Sequence, residues 1–155
     1  MASRTFFVAL ALCLVLADPA SSSDLTGTWR YVAFFNCTYR PVDGGVRKSR
    51  ENVSPPLAIS QIDGALTIDW GSLWTGHVFW YAGGTGHGVA YQCDSGSSTD
   101  TMEIESARTF PEDARGISGR MVVSYRSVSE DSHFECKRIE FERIDTENPN
   151  PPPCP

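Results

Sequence analysis

The chain has 155 residues, 41% hydrophobic and 21% charged, with 13 Lys and Arg against 19 Asp and Glu for a net charge of −6. Such an acidic, Lys-poor surface repels phosphate backbones and anionic headgroups, so nucleic acid and membranes are excluded as expected partners. The length suits one domain with a real core and is too short for two.

Residues 6–17, FFVALALCLVLA, form an apolar run behind Arg4. This is the basic start and hydrophobic stretch of a secretory signal peptide spanning residues 1–23, too short to cross a bilayer as a helix. Cleavage is expected between residues 17 and 23. The protein is then secreted and extracellular, with a folded domain over 24–144 and a Pro-rich tail over 145–155. Four cysteines follow the signal peptide: Cys37, Cys93, Cys136 and Cys154. An even count in a secreted chain reads as two disulfides, which sequence alone can connect in three ways. Asn36 (NCT) and Asn52 (NVS) begin glycosylation sequons.

Helix periodicity with caps is missing, and short runs rich in Val, Ile, Tyr, Phe, Trp and Thr alternate with Gly, Ser, Asp and Pro. The predicted strands, in chain order, are 29–37, 56–62, 66–70, 74–81, 89–93, 101–110, 117–127 and 133–144. The Asp63-Gly64 pair between the second and third is a hairpin signal. The long polar loop after the first strand is placed to cover a barrel mouth, and AGGTGHG before the fifth reads as a flexible hairpin loop. Eight short strands joined by mostly short links predict an all-β fold, an eight-stranded antiparallel up-and-down barrel, with a β-sandwich as the alternative.

Strand parity gives an expected interior of Trp29, Tyr31, Phe35, Leu57, Ile59, Leu66, Ile68, Trp70, Trp74, Val78, Trp80, Val89, Tyr91, Met102, Ile104, Met121, Val123 and Tyr125. In the last strand Phe134 and Cys136 fall on one parity, Ile139 and Phe141 on the other. A bulge near Lys137–Arg138 would realign them. TGTW (26–29), TGHV (75–78) and SGRM (118–121) share a pattern of hydroxyl residue, Gly, any residue, large apolar residue. Glycine inside a strand marks bending or close backbone approach; coincidence is the other reading.

Gly27-Thr28-Trp29 at the start of the first strand, with seven further strands behind it, resembles the calycins, the group of small barrels that includes lipocalins and avidins. The resemblance implies that Trp29 lies across the closed end of a barrel and that Arg143, near the end of the last strand, packs over its indole. A solvated strand-end charge is the other reading of Arg143. The Thr-Asp-Tyr motif and the helix after the eighth strand found in lipocalins have no counterpart here. LTGTW and DGALT also resemble avidins, but the polar Asn and Ser that hold biotin there are replaced by the apolar RYVAFFNC. In a closed meander the first and eighth strands are antiparallel neighbours, so Cys37 is expected to pair with Cys136, and Cys93 with Cys154, tethering the tail.

Catalytic and metal chemistry are not expected. His77, His87 and His133 have no chelating spacing, GGTGHG lacks a following helix to bind phosphate, and no Gly-x-Ser-x-Gly elbow occurs. Asp63, Asp69, Glu103, Glu105, Glu140 and Glu142 fall mostly on outward parity. No cofactor, metal or enzymatic activity is therefore assigned. The expected function is burial of a small apolar or aromatic ligand in the barrel of a monomeric protein, with Trp80, Tyr91, Met102, Met121 and Tyr125 as walls. The competing reading is a filled barrel acting as a secreted structural or matrix protein, or as an inhibitor or effector. In that reading the 39–55 loop, with its basic RKSR, meets an extracellular protein partner.

Overall fold

A computed structural model describes residues 24–45, 47–48, 55–109 and 119–155, without the side chains of residues 34–36, 47 and 48. Residues 1–23, where a signal peptide is expected, Asn52, the Asn36 side chain, most of RKSR and the Phe35 side chain lie outside what it describes. Nine strands run in chain order: β1 (Gly27–Pro41), β2 (Arg47–Lys48), β3 (Leu57–Ile62), β4 (Ala65–Asp69), β5 (Leu73–Tyr81), β6 (Thr85–Gln92), β7 (Thr99–Thr109), β8 (Gly119–Val128) and β9 (Ser132–Asp145). There is no helix among the described residues, and none long and apolar enough to cross a membrane.

From β3 to β9 each strand pairs antiparallel with the next, and β1 pairs with both β3 and β9, which closes an eight-stranded up-and-down barrel. The two-residue β2 lies against the far end of β1 through Thr38↔Lys48 and Tyr39↔Arg47. The expected barrel is therefore the observed one, with one small strand added. β1 is longer than its apolar alternation suggests because its polar extension stays in register with β9 as far as Pro41↔Ser132.

The tight turn between β3 and β4 is the Asp63-Gly64 pair, both at positive φ (49° and 85°). That is the conformation a two-residue type I′ hairpin requires, and Asp-Gly supplies it. The barrel also has a measurable stagger. One cross-strand row runs Gly27, Ile59, Ile68, Trp74, Gln92 and then, by the register of Tyr91↔Thr101, to Asp100, Ser127, Phe134 and Tyr39. The row leaves β1 at residue 27 and returns to it at residue 39, twelve residues along. A stagger larger than the strand number tilts the strands and widens the barrel.

The start of β1, the β3–β4 and β5–β6 turns and the end of β9 gather at one end of the barrel, which is the closed one. Trp29 is fully buried there and donates its indole N–H to Leu25 O at 2.8 Å. Arg143 lies over the Trp29 ring, its guanidinium carbon 5.4 Å from the centroid, and donates to Asp24 O at 2.8 Å and Thr26 O at 3.3 Å. Leu25 N–H donates to Gln61 Oε1, and Gln61 N–H donates back to Thr26 Oγ1. Arg143 is a buried, fully engaged group, and its position is the one that the calycin resemblance implies. Burial pushes its guanidinium below the ordinary arginine range, while the Asp24 charge pulls it back up. Arginine stays ionised at any working pH, so this burial cost does not vary with pH.

The opening Gly27 now has a specific cause. Its φ is +136°, and a Cβ there would sit 2.0 Å from Asp145 O, where β9 ends against β1. The other two Gly repeats leave room for different neighbours: a Cβ on Gly76 would meet Val89 O of β6 at 2.2 Å, and one on Gly119 would meet the Trp29 ring at 2.9 Å. The three motifs share a need for close approach.

The predicted bulge in the last strand is present. Val123 pairs with Ile139 and Tyr125 with Cys136, so β9 spends one residue more than β8, and Lys137 and Arg138 both point outward between two buried positions. Glu142, expected outward, is buried and ion-paired with Arg30 across the β1–β9 ladder.

The fifth predicted strand needs two corrections. Only Ala82–Gly84 form the turn, and the Gly-rich segment from Thr85 onward is the start of β6. The inward parity of β6 is also Gly86, Gly88 and Ala90, which turns Val89 and Tyr91 outward. The physical reason is space. A Cβ on Gly86 would lie 3.0 Å from the Trp80 ring, and one on Gly88 would lie 2.3 Å from His77 O, so only small residues fit inside β6.

Cys37 and Cys136 are direct partners in the β1–β9 register, with Cα atoms 4.0 Å apart. Cys93, just past β6, pairs with Cys154 at a Cα separation of 5.6 Å. β9 ends at the closed end and Cys93 lies at the open one, so the Pro-rich tail travels the length of the barrel to reach its tether. Two such pairs are compatible with an oxidising, extracellular setting.

Candidate functional site

The open end is formed by the end of β1, the starts of β3, β7 and β9, and the residues following β4, β6 and β8. Just inside it lies an aromatic cluster. Trp70 packs against Trp74 (6.3 Å between centroids) and edge-on against Tyr125 and Phe141 (both 5.8 Å). Tyr125 also meets Trp74 at 5.9 Å and Phe134 at 5.7 Å. Edge-to-face arrangements of this kind suit the aromatic quadrupole. Trp70 follows β4 and is pinned by donating its indole N–H to Pro55 O at 3.1 Å.

At the same end, the cross-strand row Trp74–Gln92–Asp100 carries two buried polar atoms on inward positions. Asp100 shares the inward parity of Met102 and Ile104 and is 9% exposed; Trp74 is 2% exposed. Asp100 Oδ1 and Trp74 Nε1 are buried, and neither has a hydrogen-bond partner among the described residues. Gln92, between them, donates to Asp94 O on the loop outside. A buried polar group left unmatched costs about 1–3 kcal/mol, so two on one row mark a feature that folding alone does not account for.

The five wall residues expected from the sequence separate into four groups. Met102 and Tyr125 are direct cross-strand partners in the open half, beside Trp74. Met121 is fully buried and lies deeper, opposite Phe141. Trp80 points inward but sits beside the β5–β6 turn at the closed end, over Gly86, where its own Nε1 is buried without a partner among the described residues. Tyr91 is on the outer surface, 50% exposed. The site as built therefore keeps Met102 and Tyr125, and it adds Trp70, Trp74, Phe134 and Asp100.

Asp100 was missed because the polar run DSGSSTD reads as loop up to its last residue. Counting back by twos from Ile104 and Met102 places it inward. The chemistry on offer is recognition: aromatic walls, one indole donor and one carboxylate acceptor. Among the described residues no three His, Cys, Asp or Glu side chains are grouped to hold a metal ion.

No protein-family model, curated protein or solved structure matches the chain. The closed, eight-stranded up-and-down barrel is compatible with a calycin-like fold.

Proposed function

We propose that this is a secreted, calycin-like carrier that takes a small aromatic or apolar ligand through the open end of its barrel. The observation that carries the reading is the pair Trp74 Nε1 and Asp100 Oδ1, buried without hydrogen-bond partners among the described residues and next to the aromatic cluster. A ligand with a flat apolar body and a polar edge would cover both: its body against Trp70, Trp74 and Tyr125, its acceptor on the indole N–H, its donor on the carboxylate. The Trp29–Arg143 plug at the opposite end supports the calycin assignment, and the two cysteine pairs support secretion.

A second reading has its own observation. The aromatic cluster occupies much of the open half, which favours a filled barrel used as an extracellular interaction module. The two readings separate on titration with N-phenyl-1-naphthylamine, a neutral aromatic probe whose fluorescence rises on burial. The carrier reading expects saturable one-to-one binding that Trp74→Phe and Asp100→Asn both weaken. Absence of saturable binding, or binding indifferent to both substitutions, supports the filled barrel.

A further inference from the structure

Strand alternation gives the outer face of β5–β7 a second, separate site. It turns Phe79 and Tyr81 of β5 outward at 66% and 61% exposure, with the half-exposed Tyr91 of β6 further along the same face. Scattered surface apolar residues need no explanation, but a contiguous aromatic patch marks an interaction site. Here the patch is also concave. Between Gly86↔Ala107 and Gly88↔Ile104 the register shifts, so β7 carries an extra residue and the sheet bends locally. The same face holds a shallow, open groove of about 480 Å³ whose lining includes Phe79, His87, Val89, Tyr91, Thr101 and Glu103. Tyr91 stands directly opposite Thr101, and Val89 opposite Glu103. Tyr81 meets His87 edge-on at 5.2 Å and extends the aromatic rim.

The lining specifies what would fill it. Glu103 only accepts hydrogen bonds, it forms no ion pair among the described residues, and no Lys or Arg lines the groove. Arg126, the exposed arginine opposite Thr101 on β8, is not paired with it. Aromatic faces beside an unpaired carboxylate favour a group that only donates, carries positive charge and arrives on an apolar stem. A lysine or arginine side chain has all three properties. A neutral sugar could use the Thr101 and Tyr91 hydroxyls and the His87 ring N–H, but it would leave the Glu103 charge uncompensated. The net charge of −6 draws basic partners from a distance. We propose that this groove docks a Lys or Arg side chain from a basic segment of a partner protein. The barrel interior takes no part, so this site stands or falls apart from the carrier reading.

The test is an NMR titration of the full chain, both disulfides formed, with three probes: a short peptide alternating Leu with Lys and Arg, its counterpart with Gln at every basic position, and cellohexaose. The basic peptide should shift the Phe79, His87, Tyr91 and Glu103 signals with a Kd of about 0.1–1 mM. Glu103→Gln and Tyr91→Ala, both at exposed positions, should each weaken it about tenfold with little change in melting temperature. The proposal is overturned if the Gln peptide binds equally well, if the shifts map elsewhere or are missing up to several millimolar peptide, or if cellohexaose alone occupies the groove.

Discussion

Trp29 and Trp74 are both enclosed indoles on inward strand positions, one at each end of the same barrel, and they are treated differently. Trp29 donates its N–H to Leu25 O, lies under the Arg143 guanidinium, and has its ring accommodated by Gly119. Trp74 stacks into an aromatic cluster but donates to nothing among the described residues, and Asp100 on the same row is equally unmatched. At the closed end the Trp29 indole N–H and the Arg143 Nη1 both meet backbone carbonyls, as buried polar groups usually do. The open end leaves hydrogen-bonding capacity unused inside a low-dielectric space, where that is costly. Trp80 is the second unmatched indole among the described residues and lies at the closed side, next to a turn, so the contrast concerns the plug against the mouth.

The sharpest break in that comparison comes from Trp29→Ala. Removing a fully buried indole should destabilise the barrel by about 4 kcal/mol, read as a lowered midpoint in urea. The matched Phe substitutions come next. Trp29→Phe strands the Leu25 carbonyl and should cost roughly 2–3 kcal/mol, whereas Trp74→Phe strands nothing and should cost about 1 kcal/mol from lost volume. Equal costs would erase the distinction between the two ends. Arg143→Lys keeps the charge but loses the planar guanidinium that lies over Trp29 and whose Nη1 reaches the Asp24 and Thr26 carbonyls. It should cost about 1–2 kcal/mol near neutral pH, read from the midpoint in urea. The smallest effect is expected at the mouth. Asp100→Asn replaces a side chain whose buried Oδ1 has no hydrogen-bond partner among the described residues, so stability should hold or rise by up to about 1 kcal/mol, seen as an unchanged or higher melting temperature.

How much of this was legible beforehand follows from where side chains or backbone set the packing. β3, β4, β5, β7 and β8 carry large apolar residues on their inner faces, so alternation alone placed Ile59, Ile68, Trp74, Met102 and Val123 correctly. The bulge at Lys137–Arg138 was legible because two core residues on opposite parities demand one. β6 was not, since its inner face is Gly86, Gly88 and Ala90, shaped by the Trp80 ring and the β5 backbone. A strand whose inside must be small shows its apolar residues on the outside, and Val89 and Tyr91 were accordingly assigned to the wrong face. That reversal put an aromatic residue on the outer groove instead of in the cup. Asp100 was hidden for a related reason: its polarity argued for the loop, while its register argued for the interior, and the register prevailed.

The claim that the mouth is left unmatched for a ligand is tested most directly by measuring melting temperature and N-phenyl-1-naphthylamine affinity together on Asp100→Asn. The account predicts opposite movements, with the melting temperature equal or higher and the affinity lower, the signature of a group kept for binding at the expense of stability. A lower melting temperature with unchanged affinity would contradict it, and would make Asp100 a structural residue in a filled barrel.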